Sequence, residues 1–207
     1  MTRISLVRHG QTDWNHDGRI QGRSDIPLNE TGREQARATG LALAESGRRF
    51  DGVYASPLVR AMETAALIAG ELDMPGPEPV PGLEERSYGL AEGMTGPEIR
   101  ERFGDDRSEI PEWEDDAALL ERVFAALSRL AAHHPGERVL AVAHGGVIGA
   151  VARHLTGGER PAKGETIGNG SVHEFEVIDG ELRLVAFNLA PSDLAELDLD
   201  VEVEEAG

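Results

Sequence analysis

Apolar and polar positions alternate along the chain between short β-like runs and longer runs with a helical repeat. Arg3-Ile4-Ser5-Leu6-Val7 reads as a short strand, and a polar, Gly-punctuated stretch follows it to Pro27. Residues 30–46 carry Ala36, Leu41 and Leu43 at helical spacing, with Asn29 as N-cap and Gly47 as stop. Gly52-Val53-Tyr54-Ala55 predicts a second strand, and Pro57 at a first helical position opens a helix to about Leu72. Four prolines between Pro75 and Pro81 make an extended connection or edge strand. A weak helix near 95–103 and a stronger one from Asp116 to His133 come next. Arg138-Val139-Leu140-Ala141-Val142-Ala143 has the continuous apolar character of a buried parallel strand, and a helix to about Leu155 follows it. Ser171–Ile178 and Glu181–Asn188 flank Asp179-Gly180, a strong hairpin signal. The alternation predicts an α/β fold whose sheet is mostly parallel and carries an appended antiparallel hairpin. No internal repeat is apparent.

Composition adds class limits. The chain has 207 residues, 40% of them hydrophobic and 28% charged, which fits one compact soluble domain over residues 1–190. From Asp193 onward there are seven acids and no Lys or Arg, so residues 191–207 read as an acidic C-terminal tail. Ile4–Val7 meets Arg8 after four residues, too short for a signal h-region, and no apolar run approaches membrane-spanning length. The expectation is a cytoplasmic protein with no membrane partner. With no cysteine, disulfides, thiolate catalysis and Cys-ligated metal are excluded.

Charge changes the picture further. Twenty Lys plus Arg against 38 Asp plus Glu give a formal −18, which disfavours nucleic acid as a partner. Any anion handled by this chain must meet a local basic pocket. Ligands in open α/β sheets gather beyond the carboxyl ends of the strands. Those ends present Arg8-His9-Gly10 after the first strand, Ser56-Pro57 with Arg60 one turn on after the second, and His144-Gly145-Gly146 after Ala143. Two imidazoles, two guanidiniums and a carboxyl group suit metal-free phosphoryl transfer. A neutral imidazole attacks phosphorus, guanidiniums fork onto the equatorial oxygens, and a protonated carboxyl serves the leaving oxygen. Glycines such as Gly145 let backbone N–H groups approach the anion.

Each residue alone has a plainer reading. Arg-His-Gly is a weak tripeptide, His144 could be a satisfied buried histidine, and Arg60 on a helix is by default solvated. A metal held by His9 and His144 is disfavoured by the adjacent arginine, so no metal or other cofactor is expected. Trp14 and Tyr88 read as packing residues at the rim, and His16, His133, His134, His154 and His173 as surface or packing residues.

The segments Arg8-His9-Gly10-Gln11-Thr12-Asp13-Trp14-Asn15, Gly18-Arg19-Ile20-Gln21-Gly22 and Asp25-Ile26-Pro27-Leu28-Asn29-Glu30-Thr31-Gly32 closely resemble the opening signature of the histidine phosphatase (phosphoglycerate mutase-like) superfamily. The resemblance continues through Ser56-Pro57-Leu58-Val59-Arg60-Ala61-Met62-Glu63-Thr64-Ala65, Leu83-Glu84-Glu85-Arg86-Ser87-Tyr88-Gly89 and Ala143-His144-Gly145-Gly146, spanning about residues 3–190. It implies a three-layer sandwich with helices on both faces of the sheet. It also implies His9 as the phosphorylated nucleophile, with Arg8, Arg60 and His144 closing the phosphate pocket. Asn15 then resembles a further phosphate ligand, and Gln21 and Gly22 sit where the family's entrance loop touches substrate. For the proton donor, Glu84 and Glu85 are adjacent candidates. The family's acid stands four residues before a Gly, which favours Glu85 ahead of Gly89.

The resemblance covers both phosphatases and mutases. From Pro97 to Asp116 the chain carries nine acids against Arg100, Arg102 and Arg107, a segment ill suited to clamp a polyanion. Hydrolysis of a small phosphorylated metabolite is therefore expected over mutase-type transfer, and over an inactive phospho-ligand module, which would lack one of these residues. One departure is Trp113-Glu114-Asp115-Asp116, where many phosphatases of the family have a Gly-Glu-Ser-like sequence; this leaves the lid and the substrate open. A homodimer is allowed, although no self-complementary patch can be picked out.

Overall fold

The computed structural model describes residues 1–194. Strand β1 (Thr2–Arg8) leads through a one-turn helix α1 (Asp13–His16) to α2 (Glu30–Glu45) and β2 (Gly52–Ala55). Helix α3 (Val59–Glu71), the short β3 (Glu78–Pro79), α4 (Gly96–Phe103) and α5 (Asp116–His133) follow. The chain then runs through β4 (Arg138–Ala143), α6 (Gly145–Leu155), β5 (Val172–Ile178) and β6 (Glu181–Leu189). One six-stranded sheet results, in the order β3-β2-β4-β1-β5-β6. The first four in that order are parallel, and β5 and β6 are antiparallel additions.

The strand residues divide between the two faces with the two-residue period of a pleated sheet. Val139, Ala141 and Ala143 of β4 join Ile4 and Leu6 of β1 in a core under α5 and α6. Leu140 and Val142 join Val7, Val53 and Ala55 under α2 and α3. Helices therefore cover both faces, as the three-layer expectation requires. Each fully buried aliphatic side chain contributes about 1.5–3 kcal/mol, which fixes the strand ends that carry polar residues.

The predicted elements appear with small shifts. Asn29 caps α2, its side chain accepting from Gly32 N at 2.9 Å. Pro57 is not at the first helical position. Leu58 holds the N-cap of α3 in an extended conformation (ψ 138°), so the helix opens two residues later. The short α1 was not predicted. It forms because Thr12 and Asn15 cap each other, with Asn15 N donating to Thr12 Oγ1 at 3.1 Å and Thr12 N to Asn15 Oδ1 at 3.2 Å. Asp179 and Gly180 both adopt positive φ, as a tight hairpin turn demands.

The first residues of the expected acidic tail belong to the body. Pro191–Asp193 forms a 3₁₀ turn, and Leu194 is buried in the α2–α3 core with its carbonyl accepting from Arg48 Nη1 at 3.0 Å. The remainder of that tail, 195–207, lies outside the described residues. Among the described residues, no helix is long and apolar enough to cross a membrane.

Candidate active site

Because β4 lies between β1 and β2 and all three run the same way, their carboxyl ends open side by side. Arg8 and His9 leave β1, Ser56 leaves β2 and His144 leaves β4 as the N-cap of α6. The His9 and His144 ring centroids stand 5.2 Å apart, although 135 positions separate them in sequence. Arg60, in the first turn of α3, is wholly buried beside them.

The backbone around His9 is tied on every side. His9 N donates to Ala143 O and Arg8 N to Ser171 O, each at 3.0 Å. Gly10 N donates to Thr64 Oγ1 at 3.0 Å, and the Asn169 amide donates to His9 O at 2.9 Å. The His9 ring lies 2.6 Å from Gly10 O through Nδ1. A carbonyl only accepts, so Nδ1 carries the proton and Nε2 presents its lone pair. That lone pair accepts from Arg60 Nε at 3.3 Å. Burial holds His9 well below the usual histidine range, and the charges of Arg60 and Arg8 add to the effect. The ring is therefore neutral, with Nε2 unprotonated.

Neither guanidinium has a carboxylate partner among the described residues, and Arg60 is fully buried. Arg60 donates to Ser24 O at 2.8 Å and Gly22 O at 2.7 Å. Arg8 donates from Nη1 to Ile167 O, and its buried Nε has no partner among the described residues. Burial lowers the pKa of both, opposed chiefly by the negative charge of Glu85. Two cations held by neutral carbonyls beside two neutral imidazoles form a pocket short of an anion.

The two acid candidates separate clearly. Glu84 turns away, accepting from Gly82 N at 2.7 Å and lying 3.9 Å from Arg122. Glu85 lines the cavity, its carboxylate accepting from Arg86 N at 2.8 Å and from Gly146 N, at the start of α6, at 2.9 Å. Arg122 of α5 fixes the loop behind it. Its guanidinium donates to the carbonyls of Gly82, Glu84 and Glu85 at 2.9, 2.8 and 3.1 Å, and to Glu114 at 2.7 Å and 2.8 Å. Asp115 supplies the N-cap of α5, accepting from Ala118 N at 2.8 Å. The departure at Trp113–Asp116 thus leaves a well-capped helix carrying Arg122.

A cavity of about 630 Å³ opens above these groups, lined also by Asn15, Gln21, Gly22 and Gly145. Asn15 Oδ1 is engaged by the Thr12 backbone N–H and by Asn169 at 3.4 Å. Gln21 is buried, with Oε1 unpartnered among the described residues. The lining carries Arg8, Arg19, Arg60, Arg86, Arg107 and Arg153 against Glu85, Asp116 and Glu165, so it is cationic inside an acidic protein. Acids of the entrance segment are drawn off by local partners: Glu98 by Thr95, Asp106 by Ser108, Glu114 by Arg122 and Asp116 by Arg86 at 2.5 Å. Of these four, Glu114 and Asp116 are hydrogen-bonded by arginines, whereas Glu98 and Asp106 are hydrogen-bonded by neutral groups that favour their charged form.

Tyr88, read from sequence as packing, does pack edge-on against Trp113, with centroids 4.8 Å apart, but it also lines the cavity. Burial raises its hydroxyl pKa, reinforced by Glu85. Sequence reasoning missed Asn169 and Arg122. Asn169 carried one signal, its place in Asn169-Gly170-Ser171 just before a strand; Arg122 carried none.

The sequence matches the family model described as histidine phosphatase superfamily (branch 1) over residues 4–190. It is 36% identical over 189 residues to the uncharacterized phosphatase PhoE of Bacillus subtilis, covering 91% of this chain and 95% of that one. It is 40% identical over 166 residues to the metal-independent phosphoserine phosphatase of Arabidopsis thaliana, covering 75% and 69% respectively. Among solved structures, Bacillus stearothermophilus YhfR superposes with a TM-score of 0.82 at 28% identity, over 91% of this chain and 98% of that one. A phosphoserine phosphatase from Entamoeba histolytica, in complex with 3-phosphoglyceric acid, does so with a TM-score of 0.74 at 30% identity, over 91% and 97%.

Proposed function

The chain belongs to the histidine phosphatase superfamily, and from that premise we propose that it is a metal-independent phosphomonoesterase acting on a small phosphorylated metabolite. The observation that carries the reading is the anion-deficient pocket: Arg8 and the fully buried Arg60, with no carboxylate partner among the described residues, beside a neutral His9 whose unprotonated Nε2 is met by Arg60 Nε at 3.3 Å.

In this reading His9 Nε2 attacks phosphorus, a P–N bond forms, and the P–O ester bond breaks. Arg8, Arg60 and His144 hold the equatorial oxygens as charge spreads over them, with Asn15, Gln21 and the backbone at Gly22 and Gly145 completing the cradle. Glu85 gives its proton to the departing alkoxide, then takes one from the water that attacks the phosphohistidine. Inorganic phosphate leaves and His9 is regenerated. Relatives named phosphoserine phosphatase make phosphoserine a sensible first substrate to assay.

The test is release of phosphate from p-nitrophenyl phosphate and phosphoserine with EDTA present, by the wild type and by His9→Ala. Turnover abolished by the substitution supports the proposal; a well-folded wild type that releases phosphate from no monoester overturns it. Isomerisation of 3-phosphoglycerate faster than its hydrolysis would replace hydrolysis with mutase-type transfer.

A further inference from the structure

His144 and Ser56 form a buried pair, and the reaction as described gives a role to the imidazole but none to the serine hydroxyl. Both are fully buried, and His144 Nε2 lies 2.7 Å from Ser56 Oγ. The other ring nitrogen, Nδ1, is buried with no partner among the described residues. A neutral imidazole has one N–H and one lone pair, so the Ser56 contact leaves two arrangements. Either Nε2–H donates to the hydroxyl, or the hydroxyl donates to Nε2 and the ring proton sits on Nδ1.

Counting donors and acceptors decides between them. Ser56 Oγ already receives the Leu58 N–H at 3.4 Å. The Ser56 hydroxyl hydrogen has one recorded acceptor among the described residues, His144 Nε2. If Nε2 carried the proton, that hydrogen would be orphaned inside the protein, and Nδ1 would be an orphaned acceptor as well. With the proton on Nδ1, the serine is satisfied, Nε2 is satisfied, and one polar group remains open, an N–H. The ring faces His9 and lies in the field of Arg60 and Arg8, where the incoming group is an anion with acceptor oxygens.

We infer that Ser56 is a positioning residue that fixes the tautomer of His144, so that Nδ1–H is presented as a hydrogen-bond donor to the phosphoryl oxygens bound over His9. This rests on the phosphatase reading of the pocket. The serine acts through the imidazole and touches neither substrate nor the reacting atoms. Its hydroxyl also ties the ends of β2 and β4 together across the floor of the site, so the donor is aimed before the anion arrives.

The primary test is a long-range ¹H–¹⁵N correlation spectrum of the histidine rings in the whole protein, with His144 assigned by loss of its signals in His144→Gln. The wild type should show His144 protonated on Nδ1 and bare at Nε2, and the Nδ1–H signal should move on titration with inorganic phosphate. In Ser56→Ala the pattern should shift toward Nε2–H or a mixture, with kcat/KM for p-nitrophenyl phosphate falling roughly tenfold, the scale of one buried hydrogen bond. Ser56→Thr, which keeps the hydroxyl, should restore both.

Wild-type His144 protonated on Nε2 overturns the inference without recourse to any variant. So does a pattern unchanged in Ser56→Ala, or an Nδ1–H signal indifferent to phosphate. Because the tautomer is read without turnover, failure of the phosphatase reading shows separately, as a wild type that releases no phosphate.

Discussion

Replacing Gly146 with alanine separates catalysis from stability. A Cβ there would stand 2.4 Å from Glu85 Oε1 and 2.6 Å from the Tyr88 hydroxyl oxygen, where ordinary contact begins at 3.4 Å. Both atoms are the far ends of side chains, so the fold yields by moving the carboxylate away by about 1 Å, at the expense of the 2.9 Å bond from Gly146 N. Gly146 is helical, and Gly→Ala in a helix is worth about 0.5–1 kcal/mol in favour of folding, which offsets the local crowding. The melting temperature should therefore change by only a few degrees. A displacement of that size at a proton donor costs about a hundredfold in rate. That loss should appear in kcat/KM for an alkyl phosphate such as phosphoserine, while nitrophenyl phosphate, whose leaving group needs no proton, should lose less than about tenfold. The assay is phosphate release for both substrates, alongside thermal unfolding. Equal losses for both substrates, or an alkyl rate kept within about threefold, would refute the assignment of Glu85 as proton donor.

Glu85→Gln should reproduce the leaving-group dependence without the steric change, and a plot of log kcat/KM against leaving-group pKa should steepen relative to the wild type. Gly10→Ala should fail differently, because its Cβ would meet Gly32 O at 2.3 Å, a backbone atom of α2 that cannot swing aside; a loss of about 1–3 kcal/mol in urea unfolding is expected. Stability should also fall with acid. Burial lowers His9 and His144 well below 6.5 and His173 to about 3, so at pH below about 6.5 the unfolded chain binds more protons than the folded one. The stabilisation is present above that pH and is lost as pH falls, at about 1.4 kcal/mol per pH unit for each histidine. Denaturant midpoints measured from pH 7 to 5 should drop steadily, and a flat profile would contradict the burial of three neutral rings.

Much of the architecture was legible because it rests on local signals. The continuous apolar run of β4, the Asp179-Gly180 turn and the Asn29 cap each act over a few residues. The one boundary misjudged at a proline, the start of α3, was shifted by the extended Leu58. His9, Arg60 and His144 could be nominated because each follows a strand end, and the structure brings them together through the β1-β4-β2 order. What could not be read were the supports. Asn169 reaches His9 from 160 positions away, and Arg122 reaches the Glu85 loop from the middle of an amphipathic helix. Such contacts leave no periodicity in the sequence, because only the completed fold makes them adjacent. The tautomer of His144 is further removed, since it follows from a census of donors around Ser56.

The central claim is a covalent phosphoryl group on His9 Nε2. It is tested most directly by quenching the enzyme in alkali within milliseconds of mixing with p-nitrophenyl phosphate and locating the adduct by peptide mass spectrometry. An acid-labile, alkali-stable phosphoryl group on the peptide carrying His9, formed and lost at rates compatible with turnover, is the predicted result. Full turnover with no adduct on His9, or with one on another residue, would contradict the account.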